Sequence, residues 1–188
     1  VNGNDGNDVI TAVSGNNVVN GDAGDDTITL GAGADIANGG ADNDTLDGGD
    51  GADTLDGGAG DDVLRGDGGN DLLRGGDGND VITANIGADT VFGDDGNDVI
   101  RADGDAIGDT IDGGAGDDTI LSSDGDDIVN GGDGWDVISA NAGSDTVDGG
   151  AGNDIIYADA LADDAQGAGS DDVVSGGEGA DIIFGYGG

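Results

Sequence analysis

A nine-residue period restricts the fold of this chain more than any other feature, and it runs from Gly3 to Phe184. Gly75 to Thr83, GGDGNDVIT, carries the frame in full: glycine at positions 1, 2 and 4, aspartate at 6, and a β-prone tail at 7 to 9. Laid outward, the frame recurs twenty times with one insertion of two residues. Position 6 is Asp in 19 of the 20, with Asn17 as the exception, and position 8 is Val, Ile or Leu in 18, with Ala37 and Ala165 in the others. Low hydropathy and high net charge would by themselves suggest a disordered acidic linker. Such a linker has no reason to keep an aliphatic residue two places after an aspartate along its whole length.

Positions 7 to 9 predict three-residue strands that turn position 8 inward and positions 7 and 9 outward. Positions 1 to 6, rich in Gly, Asp and Asn, predict turns with positive φ. Strand and turn alternating every nine residues make an all-β parallel solenoid, and no 3.6-residue pattern calls for a helix. A second period of 18 sits above the first. Frames at Gly3, Gly21, Gly39, Gly57, Gly75, Gly93, Gly113, Gly131, Gly149 and Gly167 all open with glycine, whereas of the ten between them only Gly48, Gly66 and Gly176 do. The coil is therefore expected to be two nonapeptides with two distinct sides, about ten coils in all.

Two departures are expected to be local. The insertion at Asp105 and Ala106, within 102–112, should bulge from one turn; the frame 158–166, ADALADDAQ, lacks glycine and should be looped out or irregular. The frame resumes in phase after each, so residues 1–188 read as a single domain. A chain opening at Val1 without a leader-like stretch reads as a mature or excised piece.

The 43 acidic residues face only three arginines and no lysine, for a net charge of −40. Phosphate attraction needs Lys and Arg, so nucleic acid and anionic membrane are excluded as partners. No apolar run approaches the roughly 18 residues of a membrane span, so no membrane insertion is expected. Without cysteine or histidine, the only metal ligands on offer are oxygens from carboxylates and loop carbonyls. One small aliphatic residue per frame makes a thin core, which mutual repulsion of the aspartates weakens further. Stacked coils bring carboxylates 18 residues apart, such as Asp62 and Asp80, close together. A hard cation with a flexible oxygen shell, calcium ahead of magnesium, would neutralise them and couple binding to folding, with a ceiling of about 18 ions.

The frames GGADNDTLD, GGDGADTLD, GGAGDDVLR and GGDGNDVIT resemble the GGxGxDxUx nonapeptide of the RTX (repeats-in-toxin) calcium-binding family, and the resemblance covers residues 3–184. It implies a right-handed parallel β-roll with calcium between successive turns on each side. By that resemblance the ligands are backbone carbonyls of the glycine-rich loops and Asp8, Asp26, Asp35, Asp44, Asp53, Asp62, Asp71, Asp80, Asp89, Asp98, Asp109, Asp118, Asp127, Asp136, Asp145, Asp154, Asp172 and Asp181. Asn17, Asp163 and the side with less glycine are expected to give weaker or vacant sites. Proteins of this type are usually secreted by Gram-negative bacteria, unfolded in the calcium-poor cytosol and folded outside.

Other features carry less chemistry. With no His or Cys, the chain is not expected to be an enzyme. The GxGxxG-like fragments have no following helix to bind phosphate, and the Asp-rich loops lack the helices of an EF-hand. Arg65, Arg74 and Arg101, at position 9, read as solvated charges or ion pairs. Trp135 falls at position 5, taken as variable, and reads as an exposed ring; Phe92, Tyr157 and Phe184 should form small outward patches. Position 9 mixes too many residue types for a flat ice-binding face. Unprotected strand edges at the ends favour self-association into a lattice or filament. The expected role is a calcium-binding structural module of a secreted bacterial surface protein, such as an S-layer, adhesin stalk or extracellular filament. The alternative is the carboxy-terminal region of a secreted enzyme or toxin, aiding calcium-triggered folding and secretion.

Overall fold

The computed structural model describes residues 1–158 and 171–185. Strands from alternate frames form two parallel sheets among the described residues: an 11-stranded sheet from β1 (Asn2–Asp5) to β19 (Val173–Ser175), with β20 (Glu178–Gly179) beside β17 (Thr146–Gly152), and a 10-stranded sheet from β2 (Val9–Thr11) to β21 (Ile182–Phe184). In the first, β9 (Leu72–Asp77) lies between β7 (Thr54–Ala59) and β11 (Thr90–Asp95). In the second, β10 (Val81–Ile86) lies between β8 (Val63–Gly68) and β12 (Val99–Arg101). Pairing Leu55 with Leu73 and Leu64 with Ile82 sets the register at 18 residues, the two-frame coil expected. No helix occurs among the described residues.

Position 8 faces inward from Ile10 to Ile156, and Leu55, Leu73, Ile82, Val91 and Ile100 are fully buried in one apolar cluster; Ile183 in the last described coil is exposed. Position 7 beside it stays at the surface, as at Val63 and Leu72. The strands depart from the expected three residues. In the first sheet most run to six because positions 1 to 3 of the next frame continue the ladder; in the second sheet β4 (Thr27–Thr29), β12 and β14 (Thr119–Leu121) stop at three. Position 1 therefore also points inward. Where it is not glycine it joins the core, as Leu30, Ala84, Ala102 and Ala140 do.

The six-residue strands bend at position 2, which takes positive φ. Gly76 sits at φ +114, and a Cβ there would collide with the carbonyl of Gly58 in the coil before. Asp67, Asn85 and Asp94 take the same left-handed conformation, which Asn and Asp tolerate better than other side chains.

The insertion near Asp105 is absorbed in one turn and stretches the register to 20, with Val91 beside Ile111. The second departure lies outside the described residues from 159 onward, but its consequence is visible on either side. Val147 pairs with Val174 and Ile156 with Ile183, a step of 27 rather than 18. The step is nine residues longer than the regular one, so the strands Val173–Ser175 and Ile182–Phe184 lie on the sides opposite to those their phase implies. The expectation that each frame meets the one 18 residues later fails here, and about nine coils stack instead of ten.

Candidate metal centre

The turns at the two edges of the solenoid each carry a column of position-6 residues. Each backbone N–H in a column donates to the side-chain oxygen of the next coil: Asp62 to Asp80 Oδ1 at 2.7 Å, then Asp80 to Asp98 Oδ1 at 2.7 Å. One column, at what we call the uniform edge, runs from Asp8 through Asp26, Asp44, Asp62, Asp80, Asp98, Asp118, Asp136 and Asp154 to Asp181 in nine such steps. The mixed edge runs from Asn17 through Asp35, Asp53, Asp71, Asp89, Asp109, Asp127 and Asp145 to Asp172 in eight. Every sequence-expected aspartate therefore joins a column, and Asp172 and Asp181 do so on the edges opposite to those their phase implied. Asp163 lies outside the described residues. The gaps between coils number nine and eight, one fewer than the ceiling of 18.

Fifteen of these aspartates are buried, from Asp26 to Asp154. Their columns do not gather three or more carboxylates at any point among the described residues, because each coil contributes one carboxyl and aims it back at the coil before. Any ion held there must complete its shell with backbone carbonyls.

The second carboxyl oxygen is the unusual one. In fourteen of these residues Oδ2 is buried with no hydrogen-bond partner: Asp8, Asp26, Asp44, Asp62, Asp80, Asp98, Asp118, Asp136 and Asp154 on the uniform edge, and Asp35, Asp53, Asp71, Asp89 and Asp145 on the mixed edge. Position-1 glycine makes room for it. A Cβ on Gly75 would collide with Asp80 Oδ2 and lie 2.7 Å from the carbonyl of Gly93, so glycine keeps open a cradle lined by carboxylate and carbonyl oxygen.

Burial pushes ten of these carboxyls up. Desolvation raises Asp62 to about 7, against the opposing bond from the N–H of Asp44, and the charges of Asp80 and Asp44 add to the rise. The same causes hold Asp118 at about 7 and Asp80 at about 6. Buried carboxylate oxygens without donors are costly and attract a cation. An oxygen-only donor set with flexible loop carbonyls suits calcium, so the residues fit the ion that the sequence implies.

Asp109 on the mixed edge is also outside the unpartnered set, and two turns there gain a side-chain donor. The amide of Asn17 donates to Gly15 O and, at 3.0 Å, to Asp35 Oδ1, so it supplies a donor where other turns supply a bare carboxylate. Asp127 is bonded by the Ser123 hydroxyl, which lies 3.2 Å from Oδ1 and 3.4 Å from Oδ2.

A second column went unrecognised in the sequence. Position 5 on the uniform edge accepts from the coil after it: Asn79 N–H donates to Asp61 Oδ1 at 2.8 Å, Asn97 to Asn79 Oδ1 at 2.9 Å, and Asp117 to Asn97 Oδ1 at 2.8 Å. It runs opposite to the position-6 column and satisfies turn N–H groups without any ion. The signal was present, since uniform-edge frames carry Asn or Asp at position 5 from Asn7 to Asp117. Trp135 ends that run: its N–H still donates to Asp117 Oδ1, while its ring, 58% exposed, has no acceptor to offer the next coil.

The remaining singled-out residues are surface contacts. Arg74 pairs with Asp94 at 3.1 Å and lies 5.1 Å from the Phe92 ring, and Arg101 pairs with Asp103 at 2.9 Å. Tyr157 and Phe184 stack at 5.0 Å on the outer face of the second sheet.

A model of the RTX calcium-binding nonapeptide repeat matches residues 2–37, 30–64, 38–73, 65–100, 103–134, 130–165 and 157–188, nearly the whole chain. No curated protein matches it.

Proposed function

Since the chain belongs to the RTX calcium-binding nonapeptide-repeat family, whose repeats bind calcium and whose proteins are typically secreted by bacteria, we propose that it is a structural module that folds and assembles when calcium binds along its two edges. It serves a secreted surface protein, as an S-layer, adhesin stalk or extracellular filament. The observation that carries this reading is the set of fourteen buried, unpartnered Oδ2 atoms. Each such atom costs about 1–3 kcal/mol or more while it stays ionised and unpaired. A cation removes that cost in the folded state alone, so binding stabilises the fold by mass action.

The ligands in this reading are the aspartates with unpartnered Oδ2 together with turn carbonyls such as Gly93 O. Calcium supplies charge neutralisation there, and the chain supplies the spacing. Surface assembly draws on the outermost described strands, β1 (Asn2–Asp5) and β19 (Val173–Ser175) of the first sheet and β2 (Val9–Thr11) and β21 (Ile182–Phe184) of the second.

Circular dichroism and electron microscopy across a calcium titration test both parts. Strand signal that appears with calcium, is lost on chelation and is accompanied by fibres or lattices is the expected result. A spectrum indifferent to chelation removes the calcium reading, and folding that leaves the chain monomeric favours a secretion and folding aid for an attached enzyme or toxin.

A further inference from the structure

We infer that the turn of Asp127 takes no calcium and that Ser122 and Ser123 occupy the places an ion would need. The inference rests on the calcium reading above and marks where that reading stops. In the regular turn at Gly75, three features make the site: an unpartnered Asp80 Oδ2, a position-1 glycine that leaves the cradle open, and the position-1 carbonyl of the next coil, Gly93 O. All three are changed here.

Ser122 stands at position 1, fully buried, so its side chain fills the space that glycine leaves open. Its hydroxyl donates to Ala140 O at 3.0 Å, and Ala140 is the position-1 residue of the next coil, the counterpart of Gly93. Ser123 stands at position 2. Its hydroxyl accepts from the N–H of Gly125 at 3.1 Å and places its proton between Ile107 O at 2.8 Å and the Asp127 carboxylate. Asp127 accordingly is not among the residues with an unpartnered Oδ2. Ile107 follows the two-residue insertion directly, and its carbonyl lies within hydrogen-bond reach of Ser123. Carbonyl, carboxylate and cradle are each taken by a hydroxyl, so no cation-shaped demand is left.

The turn of Asp127 is thus completed by protein hydrogen bonds, where turns with an unpartnered Oδ2 are completed by an ion. Calcium stoichiometry tests this on three variants of the full chain, counted at saturating calcium after circular dichroism has established equal strand content. Asp136→Asn, in a regular turn, loses at least one ion. Asp127→Asn, which keeps Oδ1 as the acceptor for the Asp109 N–H, binds as many ions as the parent chain. The double variant Ser122→Gly/Ser123→Gly reopens the cradle and gains one. Loss of ions in Asp127→Asn equal to that in Asp136→Asn overturns the inference, as does a double-glycine variant with no gain. A parent chain that binds no calcium overturns the functional reading itself, and this inference with it.

Discussion

The two edges of the solenoid are built from one nonapeptide, yet they solve the problem of a buried carboxylate differently. On the uniform edge every aspartate from Asp8 to Asp154 presents an unpartnered Oδ2, and position 1 is glycine beneath each. On the mixed edge Asn17 and Asp127 find protein donors, and position 1 is more often a core side chain such as Leu30 or Ala84. Glycine at position 1 adds open space beside the carboxylate, while Asp35, Asp89 and Asp145 keep a bare Oδ2 next to Leu30, Ala84 and Ala140. The glycine's lost side chain costs core volume on one edge and opens cation space there, while the other edge keeps the volume and gives up part of the space.

The largest effect expected from this comparison is on pH dependence in the absence of calcium. Asp62 and Asp118 sit at about 7, and Asp44, Asp80 and Asp136 at about 6, all above the ordinary carboxyl value of 3.8. A group raised in the folded state contributes stability that is full below its unfolded pKa and is lost as pH rises through the folded one. The chelated chain should therefore gain strand signal on acidification from pH 8 to pH 5, with a midpoint near 6 to 7, and both edges contribute, since on the mixed edge Asp71 is raised to about 6 and Asp109 and Asp145 to about 7. A chelated chain equally unfolded at both pH values would break the comparison.

Next in size, Gly75→Ala should be far worse than its mixed-edge counterpart. The added methyl meets Asp80 Oδ2, so we expect a loss of about 1–3 kcal/mol in calcium and a weakened affinity. Ala84→Gly removes one buried methyl and should cost about 1 kcal/mol, with calcium affinity retained. Thermal melts across a calcium series separate the two. Equal shifts in affinity would mean that position 1 has no special part in the site.

Asp80→Asn is expected to change sign with calcium. The amide keeps Oδ1 as acceptor for Asp62 and removes an unpaired buried charge, so the chelated protein should melt higher than its parent by the equivalent of about 1–3 kcal/mol. In calcium the same variant should melt lower. Destabilisation under both conditions would argue that the unpartnered oxygen is not what calcium repairs.

The smallest effect concerns the position-5 column. Asn97→Ala deprives the Asp117 N–H of its acceptor in an exposed turn, for a loss of about 0.5–1 kcal/mol that is the same with and without calcium. On the mixed edge, Ala52→Asn should add a rung toward Asn70 and gain up to about as much. Urea titration resolves changes of this size, and a calcium-dependent difference would show that the two columns are coupled.

Much of this was legible in the residues. The nine-residue period, the inward position 8 and the position-6 aspartate depend on local alternation of strand and turn, which sequence spacing carries directly. The 18-residue coil with unlike sides also followed, because position 1 differs between alternate frames. Other features depended on partners far apart in the chain. The length of the β9-type strands was missed because positions 1 to 3 look like turn residues until the neighbouring coil offers them a ladder. The position-5 column was read as variable loop for the same reason.

By itself, then, the sequence determined a calcium-type β-solenoid and the aspartates that line it, since both are properties of one repeat. Tertiary structure alone decided which oxygen of each carboxylate is spent on a backbone N–H and which is left bare, that Ser123 meets Ile107 and Asp127, and that Asp172 follows Asp145 at a step of 27. These are relations between coils. Residues 16, 18, 20 or 27 apart become neighbours only when each coil closes on the one before, and the number of residues needed to close it is set by packing against the coil beneath.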